Sequence, residues 1–272
     1  MLSSMKQLTI DATEFDRTVT ARPTDADGLF EIDISDAWAS LVGAHGGFMT
    51  AVATRCAEQI APGRLARTVS TTFVRPGRIG PATIRTDVVR SGRSITTVNV
   101  DIEQAERTVT SSRLTFVAPV RGAEWSTKAP LDLPPPAECV PVTPPHAVAH
   151  FDRVDGLLDP ASLPFTAGER AMVQGYIRPL EPRAIDAAWL AMATDWFPPP
   201  AFVRIDPPAG GISVDLTTHV HRTIDEHDGS WLTGRFEIAT SAGGLAVEHG
   251  MIRTLAGDLL AESFQTRWIA GA

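Results

Sequence analysis

The sequence predicts an α+β protein built as a repeat. Two stretches of similar size, roughly 1–118 and 166–272, each carry one helix-like run of small residues followed by segments that alternate or are rich in β-branched residues. Between them the composition shifts: ten of the 21 prolines fall from Pro119 to Pro164. Proline fixes φ and lacks the amide donor, so 119–165 reads as an extended connector, not helix or central strand. A helix set against antiparallel strands, twice over, is the α+β pattern.

The elements follow in chain order. Gly28–Ile34 is a short alternating strand, and Gly46 to about Gln59 is a helix dominated by small residues. Arg67–Arg75, then Thr83–Arg90 running through Ser94–Ile102, then Thr108–Val117 complete the first half. The second half opens with a strand near Met172–Arg178 and a helix from about Ala184 to Trp196. Ile212–His221, Trp231–Thr240, Leu245–Thr254 and Leu259–Ile269 follow as strands, separated by the turn signals Asp228-Gly229, Gly243-Gly244 and Gly257-Asp258.

Composition excludes several functions. With 24 basic against 32 acidic residues, the chain has a formal charge of −8 and a pI of about 5.4, which argues against a protein that wraps nucleic acid. Of the basic residues only Lys6 and Lys128 are lysines and neither follows a glycine, so there is no P-loop. G-x-G, G-x-S-x-G and H-E-x-x-H are all missing. Cys56 and Cys139 are too few for a zinc ribbon or a disulfide framework, which fits a reducing cytoplasm. The uncharged run Ala37–Thr54 holds His45 and three glycines, and reads as a buried turn and helix, not a bilayer span.

Among chemistry-bearing residues Asp195 stands out. On a helix over 184–196 it shares a face with alanines 184, 188 and 191, so its carboxylate should press on a packed surface. Burial and the negative end of the helix macrodipole both disfavour the ionised form, which suits proton acceptance better than a surface ion pair. The plainer reading is a helix end frayed into water before Pro198-Pro199-Pro200. Asp186 lies on the opposite side as a first-turn charge. Strict alternation puts Ser213, Asp215, Thr217, His219 and His221 on one strand face, which makes Asp215 a rival base. His219-x-His221 could begin a metal site, but a polar strand face explains it more simply, and no metal is expected. His146 and His150 are spaced i,i+4 in the connector, where a helix is not expected. Arg75, Arg78, Arg90 and Arg93 repeat an R-x-G-R turn pattern suited to phosphates, although single turn arginines are commonly just solvated. Gly46 and Gly47 open a helix after His45. Their N–H groups are either free donors for a ligand or the glycines merely allow tight packing.

Taken together the motifs resemble a known family. His45-Gly46-Gly47, Thr71-Thr72-Phe73-Val74-Arg75-Pro76, Gly80-Pro81 and Arg90-Ser91-Gly92-Arg93-Ser94 resemble the N-terminal half of acyl-CoA thioesterase II. Ala193-Thr194-Asp195, Ser213-Val214-Asp215 and Ala261-Glu262-Ser263-Phe264-Gln265 fall where that family has its C-terminal motifs. The resemblance implies a double hot dog: two antiparallel sheets, each wrapping a central helix. It also implies hydrolysis of acyl-CoA to free fatty acid and CoA, in the cytoplasm, by a homo-oligomer with no nucleic-acid or membrane partner and no cofactor. Asp195 would activate a water, with Ser213 (threonine in the commoner pattern) and Gln265 orienting it. His45, Gly46, Gly47 and the four arginines would bind substrate, the helix N-terminus polarising the thioester carbonyl. Two rivals remain. A hot dog hydratase or dehydratase would pair Asp195 with a histidine, and none is near it in sequence; a non-catalytic acyl-CoA binder would make no use of Asp195.

Overall fold

The computed structural model describes residues 12–119, 122–143, 148–204 and 211–269. Its first half runs α1 (Glu14–Val19), β1 (Arg22–Pro23), β2 (Leu29–Ile34), β3 (Ala39–Ser40), β4 (Gly43–Ala44), α2 (Gly46–Ile60), β5 (Leu65–Phe73), β6 (Gly80–Ser91), β7 (Ile95–Gln104) and β8 (Arg107–Val117). Then come β9 (Val140–Pro141), β10 (Val154–Leu158), β11 (Met172–Pro179), α3 (Ala187–Ala193), α4 (Ala201–Arg204), β12 (Gly211–Val220), β13 (Leu232–Ala242), β14 (Leu245–Thr254) and β15 (Leu259–Ile269).

Two antiparallel sheets joined side by side were expected, and their strands run on into one large sheet. Thirteen of them join in the order β1-β2-β6-β7-β8-β5-β12-β15-β14-β13-β11-β10-β9, antiparallel at every pairing. The joint is β5 on β12, from Thr72 opposite Asp215 to Thr68 opposite His219. Each half would otherwise expose a long edge with unpaired N–H and C=O groups, and pairing the two edges satisfies both. Two other expectations shift. The span 83–102, read as one strand run, turns at Gly92 into β6 and β7. The segment 119–165, read as an extended connector, contains β10, which is paired on both flanks despite its proline-rich surroundings.

The helices sit at the centre of this sheet. From Gly47 to Ala57 all but Arg55 are buried, the signature of a core helix with no solvent face. Every residue of α3 is buried as well. The two helices pack on each other, with α2 against β5, β7 and β8 and α3 against β5 and β12. Their small residues (Ala51, Ala53 and Ala57 on α2, Ala188 and Ala191 on α3) permit that close approach. α3 is shorter than read from the sequence. Ile185 forms a bridge with Ile224, and Asp186 caps the helix by accepting from the Trp189 N–H at 2.9 Å. No helix among the described residues is long and apolar enough to cross a membrane.

Candidate active site

Asp195 lies just beyond α3, its N–H bonded to the Met192 carbonyl at 3.1 Å, in a tight turn and not a frayed end. It is buried, and its carboxylate meets the start of α2. Oδ2 accepts from the Gly47 N–H at 2.7 Å. Oδ1 accepts from Gln265 Nε2 at 2.7 Å, and the same nitrogen reaches Ser213 Oγ at 2.6 Å. Three groups from three separate elements thus converge, the set that the resemblance implied. The N-terminus of α2 offers its donors where the C-terminal end of α3 alone would disfavour charge. The packing reading of the glycines holds, and the Gly47 N–H is engaged by Asp195 instead of standing free. A Cβ on Gly46 would lie 2.9 Å from Asp195 Oδ2, and one on Gly47 2.7 Å from the Met192 carbonyl oxygen, so only glycine lets the donor come this near.

Two further residues complete the cluster, and sequence reasoning missed both. Arg267, two positions after Gln265 and therefore on the same face, is buried and donates in four directions. Nε reaches Glu248 Oε2 at 2.6 Å, and Nη1 reaches Ser213 Oγ at 3.2 Å. Nη2 reaches Gln265 Oε1 at 2.8 Å and Asp195 Oδ1 at 3.4 Å. Glu248 is buried opposite Gln265 on β14. Burial pushes its carboxyl above the ordinary range, with Arg267 pulling the other way. For Arg267 the balance is reversed: the attraction of Glu248 and then Asp195 outweighs burial and holds the guanidinium charged. The signal was available, since inward positions on β14 run Ala246, Glu248, Gly250, Ile252, and a lone acid in such a row demands a partner.

His45, remote from Asp195 in sequence, also borders the carboxylate. It caps α2, with Nδ1 accepting from the Phe48 N–H at 3.2 Å. That leaves Nε2 protonated, 3.1 Å from the Asp195 main-chain oxygen and 3.5 Å from Oδ2. Burial lowers its pKa despite the nearby acid. His150, from the connector, stacks on it with ring centroids 4.2 Å apart. Burial, then repulsion from His45, takes His150 down to about 2. His146, its sequence partner in the i,i+4 spacing, lies outside the described residues.

Known families account for most of the chain. Residues 34–117 match the acyl-CoA thioesterase N-terminal domain, and residues 131–269 match the acyl-CoA thioesterase C-terminal domain. The chain belongs to the acyl-CoA thioesterase family. It is therefore an enzyme, a thioester hydrolase. No curated protein sequence matches it. Among solved structures it is similar to a conserved hot dog protein of unknown function from Alicyclobacillus acidocaldarius (21% identity, 96% of this chain and 99% of that one, TM-score 0.85). It is also similar to the acyl-CoA thioesterase II TesB2 of Mycobacterium marinum (18% identity, 95% and 98%, TM-score 0.76). The tesB protein of Mycobacterium avium subspecies paratuberculosis matches to the same degree (19% identity, 94% and 98%, TM-score 0.76). At these identities the likeness fixes the fold: hot dog.

The remaining sequence candidates of this thioesterase fall elsewhere. A β-bulge separates Ser213 from Asp215, with Val214 as the extra residue, so alternation reverses and Leu216, Thr218 and Val220 point inward. Asp215 therefore does not share the face of Ser213; its Oδ1 accepts from the Thr266 N–H at 3.2 Å. His219 and His221 turn outward with it. His221 pairs with Glu262 at 3.0 Å, and no group suited to a metal occurs among the described residues. The four arginines do not form one patch. The Arg75–Arg78 turn packs at the entry to α2, where the Ala44 N–H donates to the Gly77 carbonyl at 2.8 Å. Arg90 and Arg93 flank the β6–β7 turn, held at 2.9 Å through Gly92 by Arg64, just past the other end of α2. A 15-residue helix separates the two pairs by about 22 Å.

Proposed function

We propose that this thioesterase hydrolyses acyl-CoA to free fatty acid and CoA with Asp195 as the general base. The observation that carries the reading is the convergence of Asp195, Gln265 and Ser213 at the N-terminus of α2. Asp195 takes a proton from water, and the water oxygen attacks the thioester carbonyl carbon. The carbonyl oxygen gathers negative charge, for which we assign the Gly46 N–H at the open end of α2 as a donor, since the Gly47 and Phe48 donors are already engaged. Collapse of the tetrahedral adduct breaks the C–S bond, and the proton held by Asp195 passes to the departing thiolate sulfur. No acyl-enzyme forms and no cofactor is needed. We assign Arg75 and Arg78, beside the same helix end, to the nucleotide phosphates, and leave Arg90 and Arg93 out of that group.

The proximity of His45 to Asp195 favours the hydratase reading at first sight. Its two nitrogens argue against it, because Nδ1 caps α2 and Nε2 faces the Asp195 carbonyl, which leaves neither for a substrate proton. We further read 1–118 and 166–272 as two hot dog units fused along β5 and β12, working in the cytoplasm as a homo-oligomer. The deciding experiment is thiol release over a panel of acyl-CoA esters. Asp195→Asn should remove nearly all turnover while acyl-CoA binding and the fold persist, since proton acceptance is deleted at constant shape. Wild-type turnover in that variant would end the proposal.

A further inference from the structure

We infer that Arg267, locked by Glu248, is the positioning residue that sets the polarity of the Gln265 amide and thereby aims the cluster around Asp195; this rests on Asp195 being the base. A glutamine amide can sit in two orientations that differ only in where oxygen and nitrogen lie. Here one is excluded chemically. Gln265 Oε1 faces Arg267 Nη2 at 2.8 Å, while Nε2 faces Asp195 Oδ1 at 2.7 Å and Ser213 Oγ at 2.6 Å. Flipped, the amide would oppose N–H to a guanidinium and oxygen to a carboxylate, two repulsive contacts in a site shielded from water. The guanidinium is itself fixed, because Nε and Nη2 grip both Glu248 oxygens at 2.6 and 3.3 Å in a side-on fork.

The consequence reaches Ser213. Its oxygen accepts from Gln265 Nε2 and from Arg267 Nη1 at 3.2 Å. A hydroxyl has two lone pairs and one proton, so with both pairs engaged its O–H is forced to act as a donor. Both Nε2 hydrogens of Gln265 are likewise engaged. It follows that the amide does not hold the attacking water itself. It orders the two groups that can: the carboxylate that accepts from water and the hydroxyl that donates to it. Arg267 touches neither water nor substrate and works entirely through these neighbours, with geometry a lysine ammonium cannot reproduce, since Glu248, Gln265 and Ser213 are met by three separate nitrogens and a single one cannot occupy all three places.

The test is a coupled set of variants assayed by thiol release, on whichever acyl-CoA the wild type turns over fastest. Arg267→Lys should lower kcat by about 10–100-fold, the range for lost hydrogen bonds to a charged group, with KM changed less than about threefold. In a Gln265→Ala background the same substitution should lower kcat by a smaller factor than in the wild type, because only its weaker bonds to Ser213 and Asp195 then remain to be lost. Equal losses in both backgrounds would mean Arg267 acts independently of Gln265 and would overturn the inference. Because a lysine at this buried position could compromise folding, Glu248→Leu with Arg267→Met provides a second arm. It removes both buried charges together, a change that commonly preserves stability, so it should give a folded protein with the same kcat deficit. Wild-type kcat in the double variant would also overturn the inference. Asp195→Asn separates the two failures: if it is inactive while these variants are normal, only the role of Arg267 falls; if it is fully active, the underlying reading falls.

Discussion

Gly47→Ala perturbs the contact on which the cluster depends while changing no titratable group. An added methyl at Gly47 would sit 2.7 Å from the Met192 carbonyl oxygen, 2.9 Å from Asp195 Cβ and 3.0 Å from His45 Cε1. None of these is the free end of a flexible chain. The first is backbone at the end of α3, the second is the root of the base, and the third is a ring pinned at both nitrogens. Carbon contacts relax toward about 3.5 Å, so α2 and the α3 end must part by roughly 0.7 Å. The Gly47 N–H, now 2.7 Å from Asp195 Oδ2, would then lie near the limit of hydrogen bonding. A bond to a charged acceptor is worth ~1.5–3 kcal/mol, or about 10–150-fold if the loss falls wholly on the rate. Stability should change less. Overpacking destabilises by about 1–3 kcal/mol, while replacing glycine in a helix returns about 1 kcal/mol, for a net loss of about 0–2 kcal/mol. Urea unfolding and steady-state thiol release on the same preparations measure the two effects separately. A variant with wild-type kcat and unaltered stability would show that α2 is not held against Asp195 as described.

Three more expectations follow from the same geometry. Ser213→Ala removes the oxygen shared by Gln265 and Arg267 and should lower kcat about tenfold with little change in KM; a purely KM effect would assign Ser213 to substrate binding instead. Glu248→Ala strands a buried guanidinium with its main partner gone and should destabilise the fold by about 3 kcal/mol in urea titrations, whereas a loss under 1 kcal/mol would mean the pair is dispensable. His150 titrates at about 2 in the folded protein against 6.5 as a free group, so below pH 6.5 the unfolded chain takes up a proton that the fold refuses. Stability should therefore fall as pH drops from 6.5 toward 2, by about 1.4 kcal/mol per pH unit from this group. His150→Phe should lose correspondingly less stability between pH 7.5 and 5.5, and identical losses in the two proteins would remove His150 as the cause.

What the sequence made legible divides along physical lines. Asp195 stood out because a carboxylate on an alanine face breaks a local rule, whereas Ser213 and Gln265 came only with the family resemblance, since a single polar residue on a strand is unremarkable. Alternation misled at β12, where one extra residue at Val214 reverses the strand and carries Asp215 and both histidines to the outer face. A bulge has no strong sequence mark when the added residue is itself a good strand former. The contact between His45 and Asp195 joins residues 150 positions apart, and His150 reaches them from a region that proline content marked as irregular. Pattern reasoning is local and could give neither. The arginine motif failed for the opposite reason: two similar turns looked like one patch, but β6 is long enough to carry them to opposite ends of the molecule.

The strand order also shows that, among the described residues, only one half of the repeat carries polar groups at the strand positions of the Asp195 cluster. Read outward from the joint, β5-β8-β7-β6-β2 mirrors β12-β15-β14-β13-β11, with Ser70 facing Thr217 across the centre at 2.8 Å between hydroxyls. Even the bulges match, at Ala66/Thr68 in β5 and Ser213/Asp215 in β12. The pairing Ser213–Arg267 then corresponds to Ala66–Phe116, and Glu248–Gln265 to Val98–Leu114. All four counterparts are apolar and buried. The helix ends show the same inversion: where Asp195 meets the start of α2, Arg55 of α2 meets Asp186 at the start of α3 at 2.7 Å and is held as well by Asp16 and Glu58. Taking a carboxylate, an arginine and a glutamine out of water is unfavourable unless every lone pair and proton finds a partner. One half meets that condition through the mutual bonding of Asp195, Gln265, Arg267, Glu248 and Ser213. The other half avoids it, packing the matching positions, at the end of the joint away from the cluster, with alanine, valine, leucine and phenylalanine.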